Sequence, residues 1–303
     1  MHSGAQAAVA VVKKRSALCH PVVCKFVKRH VTLYHRSALG RAFPPLVVAL
    51  VVTLAGACSF PVQGEFMGRE LPVPPERTRT ILVIYNHGFT SETAGTYRPQ
   101  LPPILQTLAR RNPDVVVFSQ VRNTSRLDAV HHMSYIEAAI EHFHRQQGIP
   151  LGNIVLAGQS CGGWGSLQAA AYSYPQIGGV VAFAPTCHGR LPHSTQTRMR
   201  RLQEIEQLAR RARFPGLIFL YEGDSYYDVD DWAGFDKASG LPADGVHIVR
   251  LGRDAVLRVC ARCTLDSHGV VWDRQFDAAY YESEVQPLVE RVRERIRAAA
   301  GPR

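Results

Sequence analysis

The stretch Asn153-Ile154-Val155-Leu156-Ala157-Gly158-Gln159-Ser160-Cys161-Gly162-Gly163-Trp164 narrows the folds open to this chain more than any other. An uninterrupted apolar run such as Ile154 to Ala157 belongs in a strand buried on both faces. It enters Gly-x-Ser-x-Gly and then an Ala-rich segment. There Trp164, Leu167, Gln168, Ala171 and Tyr172 recur at helical spacing until Pro175. A serine at a sharp strand-to-helix turn projects its oxygen away from the backbone, and flanking glycines avoid collisions inside the turn. Ser160 is therefore read as a nucleophile. The blander alternative makes it a helix cap in a Gly-rich turn.

The chain around this motif alternates in type. Apolar or β-branched runs at 80–86, 114–120, 177–185, 216–221 and 246–251 read as strands. Helical periodicity at 101–110, at 126–147 and from Phe276 onward separates or follows them. Such alternation points to an α/β fold with a mostly parallel sheet and helices on both faces. In the 126–147 helix, Val130, Met133, Ile136, Ala139, Ile140 and Phe143 form the expected buried face. His131, His132, His142 and His144 lack metal-ligand spacing and are read as solvated surface, with no metal expected.

Three more places carry candidate chemistry. The first strand ends in His87-Gly88-Phe89-Thr90, where a glycine lets backbone approach a substrate, so the N–H groups of Phe89 or Thr90 are candidate oxyanion donors with that of Cys161. Asp224 stands just past the 216–221 strand, the position of a triad acid, with Glu222 and Asp228 as residual alternatives. Asp228, Asp230 and Asp231 read as the start of a short helix, where carboxylates meet the positive end of the dipole. Beyond the last strand a loop is expected to run to Ser267-His268-Gly269, and His268 is the candidate base. Residues 186–213 form a basic insertion, read either as a lid or as a solvated surface helix.

Charge is distributed unevenly. Of a formal net charge of +10, eight positive charges precede Cys58 with no Asp or Glu among them, which leaves +2 for the rest. The basic character belongs to the arm, which fits membrane targeting rather than nucleic-acid binding. Residues 1–57 read as a basic arm plus a signal peptide, with an apolar core from Leu46 and the small residues Ala55, Gly56 and Ala57 before Cys58. This resembles a bacterial prolipoprotein lipobox, which implies lipidation of Cys58, export, and a periplasmic or outer-membrane-anchored protein. Leu54 lies one position further from the cysteine than that pattern prefers, so a plain secretory signal or an uncleaved anchor stays open. Residues 58–79, rich in Pro, read as a tether or an extended lead-in to a catalytic domain at 80–303.

Seven cysteines remain to be sorted. Cys19 and Cys24 belong to the arm, and Cys58 is the lipidation candidate. An exported context permits disulfides, and Cys260, Cys263 and Cys187 are the candidates, as a 260–263 bridge or as Cys187 with either partner. A zinc set of Cys187, His188, Cys260 and Cys263 lacks a second paired knuckle. Cys161 is expected to be a packed turn residue.

With the HGF loop at 87–89, GQSCG at 158–162, LYEGD at 220–224 and SHG at 267–269, residues 80 to about 298 resemble an α/β-hydrolase, in the style of the dienelactone-hydrolase-like serine esterases. The order Ser160, Asp224, His268 is the order of that fold. The resemblance implies a Ser-His-Asp triad acting on a small-molecule ester without cofactor. Dienelactone hydrolases proper use a cysteine nucleophile, so Ser160 points to an esterase rather than a lactonase. Competing expectations are a peptidase of the same fold and a non-catalytic envelope or binding protein on that scaffold.

Overall fold

The computed structural model describes residues 60–89, 98–122, 129–237 and 245–300. The N-terminal arm, including Cys58 and the signal-like segment, lies outside them. Residues from Pro61 onward form one unit.

At its centre is a seven-stranded sheet, in the spatial order β1 (Gln63–Phe66), β3 (Val115–Val121), β2 (Ile81–Asn86), β4 (Ile154–Gln159), β5 (Gly179–Phe183), β6 (Gly216–Tyr221) and β7 (Val246–Leu251). All neighbours pair in parallel except β1, which runs antiparallel to β3 with Gln63 opposite Val121. Every residue of β2, β3, β4, β5 and β6 is buried, which explains their unbroken apolar reading. β7 lies at an edge, and five of its six residues are only partly buried or exposed. β1 comes from the Pro-rich 58–79 stretch, so that segment reaches into the sheet. Pairing through backbone groups leaves little hydropathic trace, and only Phe66 of this strand packs inward, edge-to-face with Phe118 and Phe143.

Helices cover both faces: α1 (Pro103–Arg111), α2 (Ala129–Glu141), α3 (Cys161–Tyr172), α4 (Thr195–Arg211), α5 (Ala233–Lys237), α6 (Arg253–Val259), α7 (Arg274–Tyr280) and α8 (Gln286–Ala299). α3 is almost wholly buried, as an Ala- and Gly-rich helix sandwiched between the sheet and its neighbours α2 and α4 must be. α8 shields the sheet with Leu288, Val289 and Val292. A one-turn π-helix, Tyr281–Val285, separates α7 from α8 where one helix was expected from Phe276.

Two expectations change. The stretch after β7, expected as loop, opens with α6, started by Glu222, whose Oε2 accepts from the Arg253 N–H at 2.7 Å. In α2, Val130 is exposed, whereas Met133, half-buried, packs against the core and Ile136, Ala139, Ile140 and the following Phe143 lie within it. Residues 123–128, where that helix was expected to begin, lie outside the described residues. Among the described residues no helix is long and apolar enough to cross a membrane.

Candidate active site

Ser160 sits between β4 and α3 with φ 55° and ψ −126°, a conformation that costs a non-glycine residue on the order of 1–3 kcal/mol. Packing holds it there. A Cβ at Gly162 would lie 1.9 Å from the Asn86 carbonyl oxygen, and one at Gly158 would lie 2.4 Å from the Gly162 backbone. Only glycine lets α3 start this close to β2 and β4. The Ser160 N–H donates to the Phe183 carbonyl at 3.0 Å, and its carbonyl accepts from Trp164 at 2.9 Å and Thr186 at 3.3 Å. Its hydroxyl makes no capping bond to the helix, so the helix-cap reading does not hold.

Asp224 lies beyond β6 and His268 beyond α6, and the fold joins them: His268 Nδ1 is 2.7 Å from Asp224 Oδ2. The Asp224 side chain is fully buried and its Oδ1 accepts from the Tyr226 N–H at 2.8 Å. Burial raises its pKa, and the hydrogen bond from His268 opposes that rise in part. The imidazole is tilted against the Tyr226 ring, 4.3 Å between centroids. The link to the serine turn is Gln159, whose side-chain amide donates to the His268 carbonyl at 3.2 Å. The alternative acids are occupied elsewhere. Glu222 starts α6, and Asp228 caps the 3-10 turn Val229–Trp232 through the Asp230 N–H, as the clustered aspartates foretold.

The loop after β2 lies against the serine. A Cβ on Gly88 would be 3.0 Å from Ser160 Cβ and 2.6 Å from Gln159 Oε1. Phe89 follows, 47% exposed, and Thr90 lies outside the described residues. Cys161 is the first residue of α3, where a backbone N–H has no acceptor within its own helix and the helix dipole favours negative charge. His87 anchors the loop from behind. Its Nδ1 lies 2.8 Å from the Gly88 carbonyl and its Nε2 accepts from the Arg122 N–H at 3.2 Å. Burial, reinforced by the Arg122 charge, lowers its pKa to about 2, so it is a neutral bracket and not a base. The guanidinium of Arg122 meets the His87 carbonyl and, at 2.6 Å, His132 Nδ1. His132 is thus fully buried, not solvated as the sequence led us to expect. Its partner comes from another element, which spacing along one helix cannot show.

The cysteines sort differently from expectation. Cys260 pairs with Cys263, but Cys187 pairs with Cys161, beside the serine. The zinc set is thereby split between two disulfides. His132, Cys161 and Cys187 place their ligand atoms within 4.8 Å of one another, yet the two sulfurs are bonded to each other and offer no thiolate.

The basic insertion is neither detached lid nor plain surface helix. Arg201 of α4 is fully buried: its Nε donates to Asp231 at 2.9 Å, its Nη1 to Thr186 at 3.0 Å, and its carbon lies over the rings of Trp164, Tyr227 and Trp232. It pins α4 to the β5 and β6 loops that flank the site. Nothing in a run of arginines marks which one is enclosed. Asp266, which bonds the loops of Asp224 and His268, was also missed, although Asp-x-His is the spacing of an Asx turn. Clefts of about 660 and 530 Å³ lie along Arg69 to Thr80 and beside Leu202 and Asp231. Residues 90–97 and 123–128 fall outside the described residues.

The monoacylglycerol lipase of Paleococcus ferrophilus superposes with a TM-score of 0.52, covering 77% of this chain and all of that one at 14% identity. DcsB, solved with a substrate analogue, gives 0.52 over 77% of this chain and 95% of its own at 12% identity. The chain has the α/β-hydrolase fold. Est1E from Butyrivibrio proteoclasticus is also similar, with a TM-score of 0.47 at 15% identity over 70% of this chain and 90% of that one. No protein-family profile and no curated protein matches the sequence. Within the α/β-hydrolase fold, Ser160 stands at the strand-to-helix turn and the Asp224–His268 pair stands on loops beyond the C-terminal ends of later strands, all at one rim of the sheet.

Proposed function

We propose that this chain is a serine hydrolase that cleaves carboxylic esters through an acyl-enzyme. The observation that carries the reading is the buried Asp224–His268 hydrogen bond, formed between distant loops at the rim where Ser160 is held in a strained turn. A carboxylate on Nδ1 fixes the proton there and leaves Nε2 to accept another. In the proposed mechanism Ser160 Oγ attacks the ester carbonyl while His268 Nε2 takes its proton. The tetrahedral oxyanion is met by the Cys161 N–H and by an N–H of the 89–90 loop, and α3 adds its positive end. His268 then protonates the departing alcohol. Water, activated by the same imidazole, releases the acid and restores Ser160. Apart from substrate and water, every step uses groups of the chain itself.

The same reading extends to location. A lipid anchor or signal at Cys58 would deliver the enzyme outside the cytoplasm, and two disulfides among the described residues are at home in such an oxidising compartment. Radiolabelled palmitate incorporation that disappears in Cys58→Ser is the test of the anchor.

Hydrolysis of short p-nitrophenyl esters by purified protein, with Ser160→Ala beside it, tests the activity. Loss of several orders of magnitude is expected, with a fluorophosphonate adduct on Ser160 in the parent. Undiminished turnover by Ser160→Ala would refute the proposal. A parent protein that neither turns over esters nor reacts with the probe would be a non-catalytic scaffold.

A further inference from the structure

Asp224 and His268 arrive on different loops, and a fixed distance between them needs something to hold the loops together. Ser267 does part of this, its N–H donating to the Gly223 carbonyl at 3.2 Å and its Oγ to the Glu222 carbonyl at 2.7 Å, and one carboxylate does another part. Asp266 Oδ1 accepts from the N–H of Ser225 at 3.2 Å and from the N–H of His268 itself at 2.9 Å. Its Oδ2 accepts from Ser225 Oγ at 2.6 Å and from Arg190 Nη2 at 3.1 Å. The residues bonded are the one after the acid and the base itself. Arg190 closes the ring of contacts from the loop ahead of α4, lying 5.2 Å over Tyr226, whose other neighbour is the His268 imidazole.

We propose that Asp266 is a positioning residue for His268, a second carboxylate that fixes the base loop on the acid loop and whose charge supports the imidazolium formed during turnover. The proposal rests on the triad reading above. The charged and titratable groups around it are Arg190 from the loop ahead of α4, Asp224 and Tyr226 from the loop after β6, His268 on its own loop, and Arg253 of α6. Hydrogen bonds from Ser225 and His268 keep Asp266 ionised at neutral pH, lowering its pKa against the effect of partial burial. About a third of the side chain is exposed, so its charge acts through partly screened space and its influence is moderate.

Asp266→Asn removes the charge and the Arg190 contact but keeps the turn, because the amide oxygen can still accept from the N–H groups of Ser225 and His268. The experiment follows kcat and KM for p-nitrophenyl acetate, and the rate of fluorophosphonate labelling, from pH 5 to 9, with Tm for each variant. For Asp266→Asn we expect kcat to fall about 3- to 10-fold with KM little changed. The acid limb of kcat/KM and of labelling should move to lower pH, since loss of a nearby negative charge disfavours a cationic base. Asp266→Ala, which also frees the loop, should lose more, and Asp266→Glu should recover the pH profile in part. An Asn variant with parental kcat and pH profile would overturn the proposal and leave Asp266 a turn residue, whatever the Ala variant does to Tm. A parent enzyme that fails to label at Ser160 would defeat the triad reading itself, a result distinct from either.

Discussion

Oδ2 of Asp224, a side chain with no exposed surface, lies 2.7 Å from Nδ1 of His268, and the sequence separates the two by 44 positions. Burial raises the Asp224 pKa, so the fold carries this carboxylate at a cost to stability, which the proposed catalytic role would explain. Asp224→Asn should therefore lower kcat by on the order of 10⁴-fold, as the imidazole loses its fixed tautomer. Its Tm at pH 7.5 should equal or exceed the parent's, because an uncharged group replaces a buried charge while the bond from the Tyr226 N–H can persist. Retention of a tenth of the activity would remove Asp224 from the triad.

His87 gives the stability a pH signature. Its pKa is held down to about 2 by burial against an ordinary value of 6.5, so the folded state favours the neutral ring. The contribution is complete above pH 6.5. It is lost as the pH falls from there toward 2, where the unfolded chain takes up a proton that the folded chain refuses. Each such group steepens the fall by about 1.4 kcal/mol per pH unit. His188, also lowered by burial, acts in the same direction. Denaturant melts of His87→Gln between pH 6 and 4.5 should show lower stability at the top of this range and a slope shallower by roughly one proton. Parallel curves for parent and variant would mean that His87 is not the buried neutral group described here.

Arg201→Met is expected to destabilise more than any exposed arginine of α4. It leaves Asp231, itself buried, facing Arg198 at 3.7 Å as its remaining ion pair. Breaking one side of a buried pair costs about 3–5 kcal/mol, which for a chain of this size lowers Tm by roughly 6–20 °C. Arg200→Met, which loses an exposed pair with Glu204 at 3.9 Å, should move Tm by about a degree at most. Differential scanning fluorimetry on the pair decides it, and equal shifts would contradict the buried geometry.

The two disulfides should separate on reduction. Cys161–Cys187 spans 26 positions and Cys260–Cys263 only 3, so loop closure alone gives the first about 3–4 kcal/mol and the second much less. Cys187→Ala should therefore lower stability more than Cys263→Ala. It should also lower kcat, because Cys161 carries the proposed oxyanion N–H. Unchanged kinetics in Cys187→Ala would show that the α3 N-terminus holds its geometry without the bridge.

What could be read directly was whatever local chemistry dictates. Ile154 to Ala157 had to be a central strand because no half-buried surface tolerates it, and Gly158 and Gly162 had to flank Ser160 because no side chain fits there. The Asp228 cap followed from the affinity of carboxylates for a helix start. Contacts between distant segments left no such trace. Gln63–Phe66 joins the sheet through backbone bonds to β3, α6 follows β7 where polar composition read as loop, and His132 is enclosed by an arginine ten positions away that belongs to another element.

The amino-acid order by itself set the α/β alternation and the serine turn, and marked Asp224 and His268 as candidates, since strand burial, turn sterics and helix starts act over a few residues. Tertiary structure alone chose Cys161 as the partner of Cys187, buried Arg201 out of a row of arginines, and laid Asp266 across the two loops. These are pairings between groups many positions apart, whose energies depend on distance and enclosure. Neither quantity exists until the sheet has brought the chain together.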